Sequence, residues 1–201
     1  LGVVCAAAFA AAEAFKYTAA FAPCRCVLHD ELAFCPVTLG TDLTVAPMLP
    51  AGTTVNLGLA GNGAVGTAHA RILGRLGLKG SRALLVDPEV YAPENVGTYS
   101  LGTIADAAVE RPKVELTAEA MSGWRISKVH GTAADAVTAI DADQVFWPAV
   151  VLSGLDSIAA RHEAQGMWPD RMIDAATGDT VVGLHEATPD GPCLRCLLPP
   201  P

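Results

Sequence analysis

A glycine-rich loop between a predicted strand and a predicted helix is the feature that most constrains the fold of this chain. Val55–Ala60 is apolar and rich in β-forming residues apart from Asn56, and it leads into the loop Gly61–Gly66. Ala64–Leu76 then has apolar positions at helical spacing. In this arrangement the first glycine allows a tight turn, the second lets backbone approach a phosphate, and the third lets the helix pack on the strand.

An acidic residue stands at the end of the next predicted strand. Arg82–Val86 is a short apolar run, and Asp87 follows it, 21 residues after Gly66. A carboxylate at this place can accept hydrogen bonds from ribose hydroxyls. The loop and Asp87 together predict a nucleotide site, but they do not separate NAD from ATP.

Strand and helix patterns alternate over the rest of the chain. Further strands are predicted at Arg125–His130, Val150–Leu155, Met172–Ala176 and Thr180–Ala187, and further helices at Ala133–Ile140 and Ser157–Met167. Ile104–Met121 also has helical composition, and Pro112 predicts a helix that begins near Glu110. Apolar strands that alternate with helices indicate a mostly parallel sheet covered on both faces. We therefore predict an α/β fold, a Rossmann-like doubly wound sheet.

Residues 1–53 differ in amino-acid composition and pattern from residues 54–201. The first 22 residues are mainly small and apolar, which favours a helix, and four prolines between residues 23 and 50 favour irregular structure. We expect an irregular helical N-terminal subdomain at 1–53 and a nucleotide-binding domain at 54–201. The apolar run at 1–12 is shorter than the roughly 20 residues of a membrane span and lacks a basic leader, so we expect neither a span nor a secretory signal.

Charge and cysteine content narrow the choice of partner and compartment. Lys and Arg number 13 against 21 Asp and Glu, a net charge of −8. Nucleic acids and anionic membranes are bound mainly by neutralising phosphate charge, so we expect neither as a partner. Six cysteines are too sparse for a disulfide scaffold, which favours a cytoplasmic protein in which some cysteines bind metal.

Several short motifs follow Asp87 in a fixed order. They are Asp87-Pro88-Glu89, Asn95 eight residues beyond Asp87, Arg111-Pro112-Lys113, a strand ending at Asp156, and Pro192-Cys193-Leu194-Arg195-Cys196. This ordered set resembles the ThiF/MoeB/HesA family, the adenylating enzymes related to ubiquitin-activating enzymes. The resemblance covers roughly residues 54–198, and Ala64 stands where the family loop has a further glycine.

The resemblance implies an ATP- and magnesium-dependent adenylyltransferase. The C-terminal carboxylate of a ubiquitin-like protein, a carrier protein or a peptide would attack the α-phosphate of ATP and displace pyrophosphate. It implies nucleotide binding by Gly61, Gly63, Ala64, Gly66, Asp87, Glu89 and Lys113, catalysis by Asp156, Lys113 and Asn95, and magnesium at Asp156. It further implies a homodimer.

Two positions depart from the family pattern. Thr98 stands where the family has an arginine, and Tyr99 replaces the following glutamine. Threonine cannot supply the fixed cationic fork of a guanidinium. The candidates to replace it are Arg71, Arg75, Arg111 and an arginine of a partner subunit. Two alternatives therefore stay open: a catalytically weak member that acts as a protein-binding scaffold, and an NAD-dependent oxidoreductase based on the glycine loop and Asp87 alone.

The cysteines give half of a zinc site. Family members bind zinc with two C-x-x-C pairs, and here Cys193 and Cys196 form one pair. The second pair normally lies further on, which leads us to expect that the domain is truncated at its C-terminus. Cys24 and Cys26 are an alternative second pair, although their spacing is C-x-C.

Overall fold

The structure is a computed structural model of the chain, and it describes residues 50–176, 181–186 and 191–198. The predicted N-terminal helix and irregular segment, with Cys24 and Cys26, lie outside the described residues. The division at residue 53 therefore stays a prediction. No helix in the described part of the chain is long and apolar enough to cross a membrane.

Within the described residues, one six-stranded sheet forms the centre of the fold, in the order β3-β2-β1-β4-β5-β6. The strands are β1 (Asn56–Ala60), β2 (Arg82–Val86), β3 (Arg125–Val129), β4 (Val150–Ser153), β5 (Arg171–Ala176) and β6 (Val181–Glu186). The first five are parallel to their neighbours, and β6 runs antiparallel to β5. The predicted α/β fold with a doubly wound, mostly parallel sheet is confirmed.

Helices cover both faces of this sheet. They are α1 (Ala64–Arg75), α2 (Ile104–Ala108), α3 (Lys113–Glu119), α4 (Ala133–Asp141), α5 (Ile158–Gln165) and α6 (Leu194–Leu197), with a 3₁₀ turn at Pro93–Asn95. Along β2, Leu84 and Val86 pack in one apolar cluster with residues of α4 and α5. Ala83 and Leu85 pack in another with residues of α1 and α3. Because successive strand residues point to opposite faces, an uninterrupted apolar strand fills both layers.

The order of the strands fixes where a ligand can enter. The chain passes from β1 outward through β2 to β3 and then returns to β4, on the other side of β1. The loops that follow β1 and β4 therefore diverge. A crevice at the carboxyl ends of the strands is expected at this reversal of strand order.

The prediction of a helix beginning near Glu110 is wrong. Glu110 has φ +50°, and Pro112 has ψ 134° and precedes α3 as its N-cap. The main chain here pairs with the segment after β2: Tyr91 N donates to Arg111 O at 2.7 Å, and Lys113 N donates to Glu89 O at 3.0 Å. This pairing divides the helical composition of 104–121 into α2 and α3.

Tyr99 fastens the first turn of α3. Its buried hydroxyl donates to Lys113 O at 3.0 Å and lies 3.2 Å from the Thr117 hydroxyl. The ring packs at a centroid distance of 5.0 Å from the ring of Tyr91. Burial raises the pKa of Tyr99 to about 12, and the hydrogen bond with Thr117 opposes part of that rise.

We expect Tyr99→Phe to lower the free energy of unfolding by about 1 kcal/mol at pH 7, because a buried hydrogen bond is lost. The unfolded phenol ionises near pH 10 and the folded one near 12, so wild type loses stability as pH rises between these values. The Tyr99→Phe variant has no phenolic proton to lose at this position, so this loss of stability is absent from it. The difference in stability between the two proteins should therefore shrink from pH 8 to pH 11 in urea titrations.

Tyr91→Phe is the matched control for this prediction. Within the described residues, the buried Tyr91 hydroxyl has no hydrogen-bond partner, so its removal should cost little stability at pH 7. A stability difference between wild type and Tyr99→Phe that does not change with pH would contradict the role assigned to the Tyr99 hydroxyl.

Candidate functional site

A cavity of about 490 Å³ opens at the carboxyl ends of the parallel strands, at the reversal of strand order. Its walls come from the segments that follow β1, β2, β3 and β4. Of the predicted site residues, Gly61, Gly63, Ala64, Asp87, Glu89 and Asp156 line it. Gly66, Asn95 and Lys113 do not line it. The structure thus brings together six predicted residues from three separate segments of the sequence.

The three glycines of the loop serve different purposes. Gly61 has φ +82°, and a Cβ there would lie 3.0 Å from the carbonyl oxygen of Gly154. A Cβ at Gly66 would lie 2.1 Å from the carbonyl oxygen of Gly61, so Gly66 lets α1 pack on the loop. No atom lies within 4 Å of a Cβ built on Gly63. The fold therefore requires Gly61 and Gly66, whereas a side chain at Gly63 would enter open space.

The N-terminus of α1 is the part of the cavity best suited to an anion. Gly63 is its N-cap and has no side chain that could accept from the first-turn N–H groups, and the first turn has no acidic residue. The other two helices that begin at the cavity are capped: the Thr132 hydroxyl accepts from Asp135 N in α4, and the Ser157 hydroxyl accepts from Ala160 N in α5. Free N–H groups and the helix dipole favour a phosphate at α1.

Asp87 is held in place by backbone amides. Its carboxylate accepts from Asn62 N at 2.5 Å and from Glu89 N at 2.8 Å. The Asn62 side chain in turn donates to Val86 O at 2.9 Å. Burial raises the pKa of Asp87, and the two backbone hydrogen bonds and the charge of Lys113 oppose that rise. The carboxylate is thus fixed at the end of β2, where it can accept from a sugar hydroxyl.

Lys113 is engaged by another member of the predicted site. Its ammonium group forms an ion pair with the Glu89 carboxylate. The Lys113 side chain is 6% exposed and that of Glu89 is 66% exposed. Lys113 Nζ also lies 6.0 Å from the centroid of the Tyr99 ring. The lysine therefore lies behind Glu89, which itself lines the cavity.

Asn95 and Thr98 belong to the 3₁₀ turn and the loop beyond it. Asn95 Oδ1 accepts from Ala92 N at 3.0 Å, which caps the turn. The exposed Thr98 hydroxyl lies 3.4 Å from Asn95 O. Neither side chain lines the cavity. The predicted catalytic role of Asn95 therefore stays a prediction, while its contacts within the chain are those of a turn residue.

The charged side chains on the cavity wall are all acidic. Among the described residues, the wall includes Asp87, Glu89, Asp156 and Glu163 and no lysine or arginine. An anionic ligand at this wall would be repelled unless a bound cation or the free amides of α1 compensated the carboxylates.

The arginines considered as replacements are placed elsewhere. Arg111 pairs with Asp106 and Glu119, and these hydrogen bonds raise its pKa. Arg71 donates to the hydroxyl and the carbonyl oxygen of Ser100. Arg75 is exposed in the last turn of α1, about 16 Å along the helix from its N-terminus at 1.5 Å per residue.

Sequence reasoning missed several residues of the wall. They are Gly131, Thr132 and Ala133 after β3 and Gly154, Leu155, Ser157 and Glu163 around the start of α5, together with neighbours of the predicted residues. The rule that ligands bind beyond the carboxyl ends of parallel strands was a usable signal for the first six, because the strands before them were predicted. Glu163 lies within α5 and had no such signal.

The cysteine pair lies apart from this cavity. Cys193 is the N-cap of α6, and its Sγ is 3.7 Å from Sγ of Cys196. Hydrogen bonds with Cys196 lower the pKa of the Cys193 thiol. Within the described ranges, no group of three or more His, Cys, Asp or Glu side chains could hold a metal ion. The zinc half site therefore remains two neighbouring thiols.

Neither a protein-family model nor a curated protein matches the sequence, but solved structures match the fold. Escherichia coli MccB with ATP aligns with a TM-score of 0.54 at 18% identity, over 71% of this chain and 44% of MccB. MccB with MccA aligns with a TM-score of 0.51 at 17% identity, over 66% and 40%. The E. coli tRNA N6-threonylcarbamoyladenosine dehydratase TcdA aligns with a TM-score of 0.47 at 19% identity, over 60% and 51%.

These matches concern the fold. The chain shares its fold with MccB, and this is the fold that the resemblance drawn from the motifs implies. The chain spans less than half the length of MccB. What MccB binds is therefore a guide for a proposal about this chain.

Two glycine substitutions separate folding from anion binding. Gly66→Ala should lower the free energy of unfolding by about 1–3 kcal/mol, because its methyl group would overlap the Gly61 carbonyl. Gly63→Ala should lower it by only about 0.5–1 kcal/mol, because glycine is a better N-cap than alanine, and its methyl group would enter the open space at the N-terminus of α1. We expect it to weaken the binding of pyrophosphate, measured by calorimetry beside urea unfolding.

Gly63→Ala also has an outcome that would overturn the assignment. Pyrophosphate binding as tight as that of wild type, in a variant that is fully folded at the temperature of the titration, would place the anion away from the N-terminus of α1.

Proposed function

We propose that this chain is the nucleotide-binding part of an ATP- and magnesium-dependent adenylyltransferase of the ThiF type. It would activate the C-terminal carboxylate of a peptide, a carrier protein or a ubiquitin-like protein. The observation that carries the proposal is that one cavity contains the uncapped N-terminus of α1, Asp87 and Asp156. The fold shared with MccB, which was solved with ATP, supports it.

The proposed placement of ATP follows from the donors and acceptors of the cavity. The free amides of α1 face the phosphates, with Gly63 leaving room for them. Asp87, held by the amides of Asn62 and Glu89, accepts from the ribose hydroxyls. The base then extends toward the segment after β3, where Gly131 and Thr132 line the wall.

Magnesium fits the acidic wall. Asp156 and Glu163 both line the cavity, and carboxylate oxygens combined with phosphate oxygens are the ligands that magnesium takes in nucleotide sites. With ATP bound, the ion would offset the repulsion between the triphosphate and the carboxylates. We therefore propose that Asp156 holds magnesium and that ATP binds mainly as its magnesium complex.

The proposed reaction is a displacement at the α-phosphate. A carboxylate oxygen of the acceptor forms a bond to the α-phosphorus, the bond to the oxygen bridging the α- and β-phosphates breaks, and its electron pair leaves with pyrophosphate. The chain contributes positioning and stabilisation of developing negative charge through the α1 amides. Lys113 would also contribute if its ammonium group left the Glu89 carboxylate and bound a phosphate. Because Glu89 is exposed, breaking this ion pair would cost little free energy.

The nature of the acceptor and the assembly are part of the proposal. MccB has been solved with MccA, which supports a peptide-like acceptor. The acidic net charge of −8 argues against a nucleic acid as the direct partner. We also propose a cytoplasmic homodimer, because members of the resembled family usually pair and an arginine from a second copy would add the cation that the wall lacks.

A protein-binding scaffold without adenylation is the second candidate. Three observations favour it: Lys113 is paired with Glu89, Thr98 lies outside the cavity, and the described wall has no basic side chain. In this case the cavity would keep its shape without the charge needed for phosphoryl transfer.

Calorimetric titration with ATP, with and without magnesium, tests the proposal. We expect wild type to bind ATP in a magnesium-dependent manner and Asp156→Asn to weaken that binding about 10-fold or more, because a metal ligand loses its charge. Asp170→Asn is the matched control, since Asp170 is exposed and does not line the cavity. It should bind as wild type does.

Other results would contradict the proposal in different ways. ATP bound by neither wild type nor variant would favour the scaffold. Tighter binding of NAD than of ATP in a parallel titration would favour the oxidoreductase. Magnesium-dependent ATP binding would justify a search for the acceptor by pyrophosphate exchange.

A further inference from the structure

A buried ion pair lies beneath the loop that carries Asp156. Arg161 is in the first half of α5, and Asp174 is on β5, where it is the register partner of Ser153 at the end of β4. Their side chains are 11% and 9% exposed, and Arg161 Nε lies 3.4 Å from Asp174 Oδ1. Neither side chain lines the nucleotide cavity.

Arg161 also bonds to the loop itself. Its Nε and one Nη donate to the carbonyl oxygen of Leu155, at 3.0 and 2.8 Å. Leu155 lines the cavity and directly precedes Asp156. A planar guanidinium that directs two N–H groups at one carbonyl fixes the orientation of that peptide group.

The rest of the loop is anchored by neutral contacts. Gly154 N donates to Ala60 O at 2.9 Å, and the Ser157 hydroxyl accepts from Ala160 N at 3.1 Å. Between these two anchors, the Leu155 carbonyl receives its hydrogen bonds from Arg161. The peptide group that joins Leu155 to Asp156 therefore depends on a buried charge.

A buried ion pair is a weak way to stabilise a fold. The loss of hydration of two charges can exceed their attraction, and apolar residues of similar volume often serve stability as well or better. Within the described residues, Asp174 Oδ1 also has no hydrogen-bond partner of good geometry. Stability alone does not account for this pair, and its contact with the loop offers a functional reason.

We propose that Arg161 is a positioning residue, which orients the Leu155–Asp156 peptide so that the Asp156 carboxylate enters the cavity, and that Asp174 holds the guanidinium in place. The proposal rests on the proposed function of the same cavity. It assigns to two residues outside the wall a part in magnesium-dependent nucleotide binding.

Arg161→Met and Asp174→Asn test this proposal together. The two variants change the charge beneath Asp156 in opposite directions, so a direct electrostatic effect on the metal would have opposite signs. A loss of positioning predicts the same result for both. We expect the magnesium concentration for half-maximal ATP binding to rise about 10- to 100-fold, the usual cost of losing a residue that orients a metal ligand.

The binding of AMP without magnesium separates positioning from general damage. AMP would rely on the glycine loop and Asp87, so its affinity should stay within about 2-fold of wild type in both variants. Arg161→Lys keeps the charge but lacks the planar guanidinium. We expect its magnesium concentration for half-maximal ATP binding to lie between those of wild type and Arg161→Met. The control is Arg171→Met, which removes an exposed ion pair with Glu186 on β5 and β6; it should behave as wild type.

Amide hydrogen exchange at Gly154 and Ala160, whose N–H groups bond to Ala60 O and to the Ser157 hydroxyl at the two anchors of the loop, decides the proposal independently of nucleotide binding. Faster exchange of this loop in Arg161→Met and Asp174→Asn, with the rest of the sheet unchanged, supports it. Unchanged exchange of the loop in the variants overturns the proposal. If wild type binds ATP, a magnesium requirement that is the same in the variants as in wild type also overturns it. If wild type binds no nucleotide, the proposed function fails, and loop exchange alone decides whether Arg161 holds the loop.

A loss of both AMP and magnesium–ATP binding in all three variants, with lowered thermal stability and faster exchange throughout the sheet, would mean that the pair is structural and would overturn the positioning role.

Discussion

The close packing of α1 against the loop before it is the constraint on which the site depends. At Gly66 the backbone of the helix comes so near to Gly61 O that a Cβ would lie 2.1 Å away. This approach aims the first turn of α1 at the ends of the strands, beside Asp87. A side chain at Gly66 would push the helix away from β1 and move its first N–H groups away from the cavity, so the third glycine sets the position of these groups through packing.

The negative charge of the cavity comes from side chains, whereas its positive end comes from the backbone of a helix. The acidic side chains of the cavity are Asp87, Glu89, Asp156 and Glu163. Its positive end is the backbone of α1, whose N-cap is a glycine without a side chain. The basic side chains nearby are occupied, Lys113 by Glu89 and Arg111 by Asp106 and Glu119. A triphosphate would therefore meet backbone dipoles and need a metal ion as its main source of positive charge.

Sequence patterns predicted the elements that local composition determines. The strands β1 and β2, the helix α1 and the position of Asp87 follow from short apolar runs and the glycine spacing. Contacts between distant segments were beyond such patterns. The helix expected near Glu110 begins later because residues 111–113 bond to the segment after β2, and Lys113 pairs with Glu89, 24 residues away. The two bonds from Arg161 to Leu155 likewise depend on how α5 packs on the loop before it.

The departure at Thr98 and Tyr99 has a physical consequence for the site. Tyr99 turns inward, bonds to Lys113 O and lies beside Thr117, so this segment clamps α3. The neighbouring Thr98 faces solvent and supplies no charge. The clamp fixes the backbone from which Lys113 extends, while the charge that an arginine would bring is missing from the described wall. Under the proposed function, a cation bound by the carboxylates would compensate for that charge, and the orientation of Asp156, which we propose Arg161 and Asp174 control, would then govern nucleotide binding.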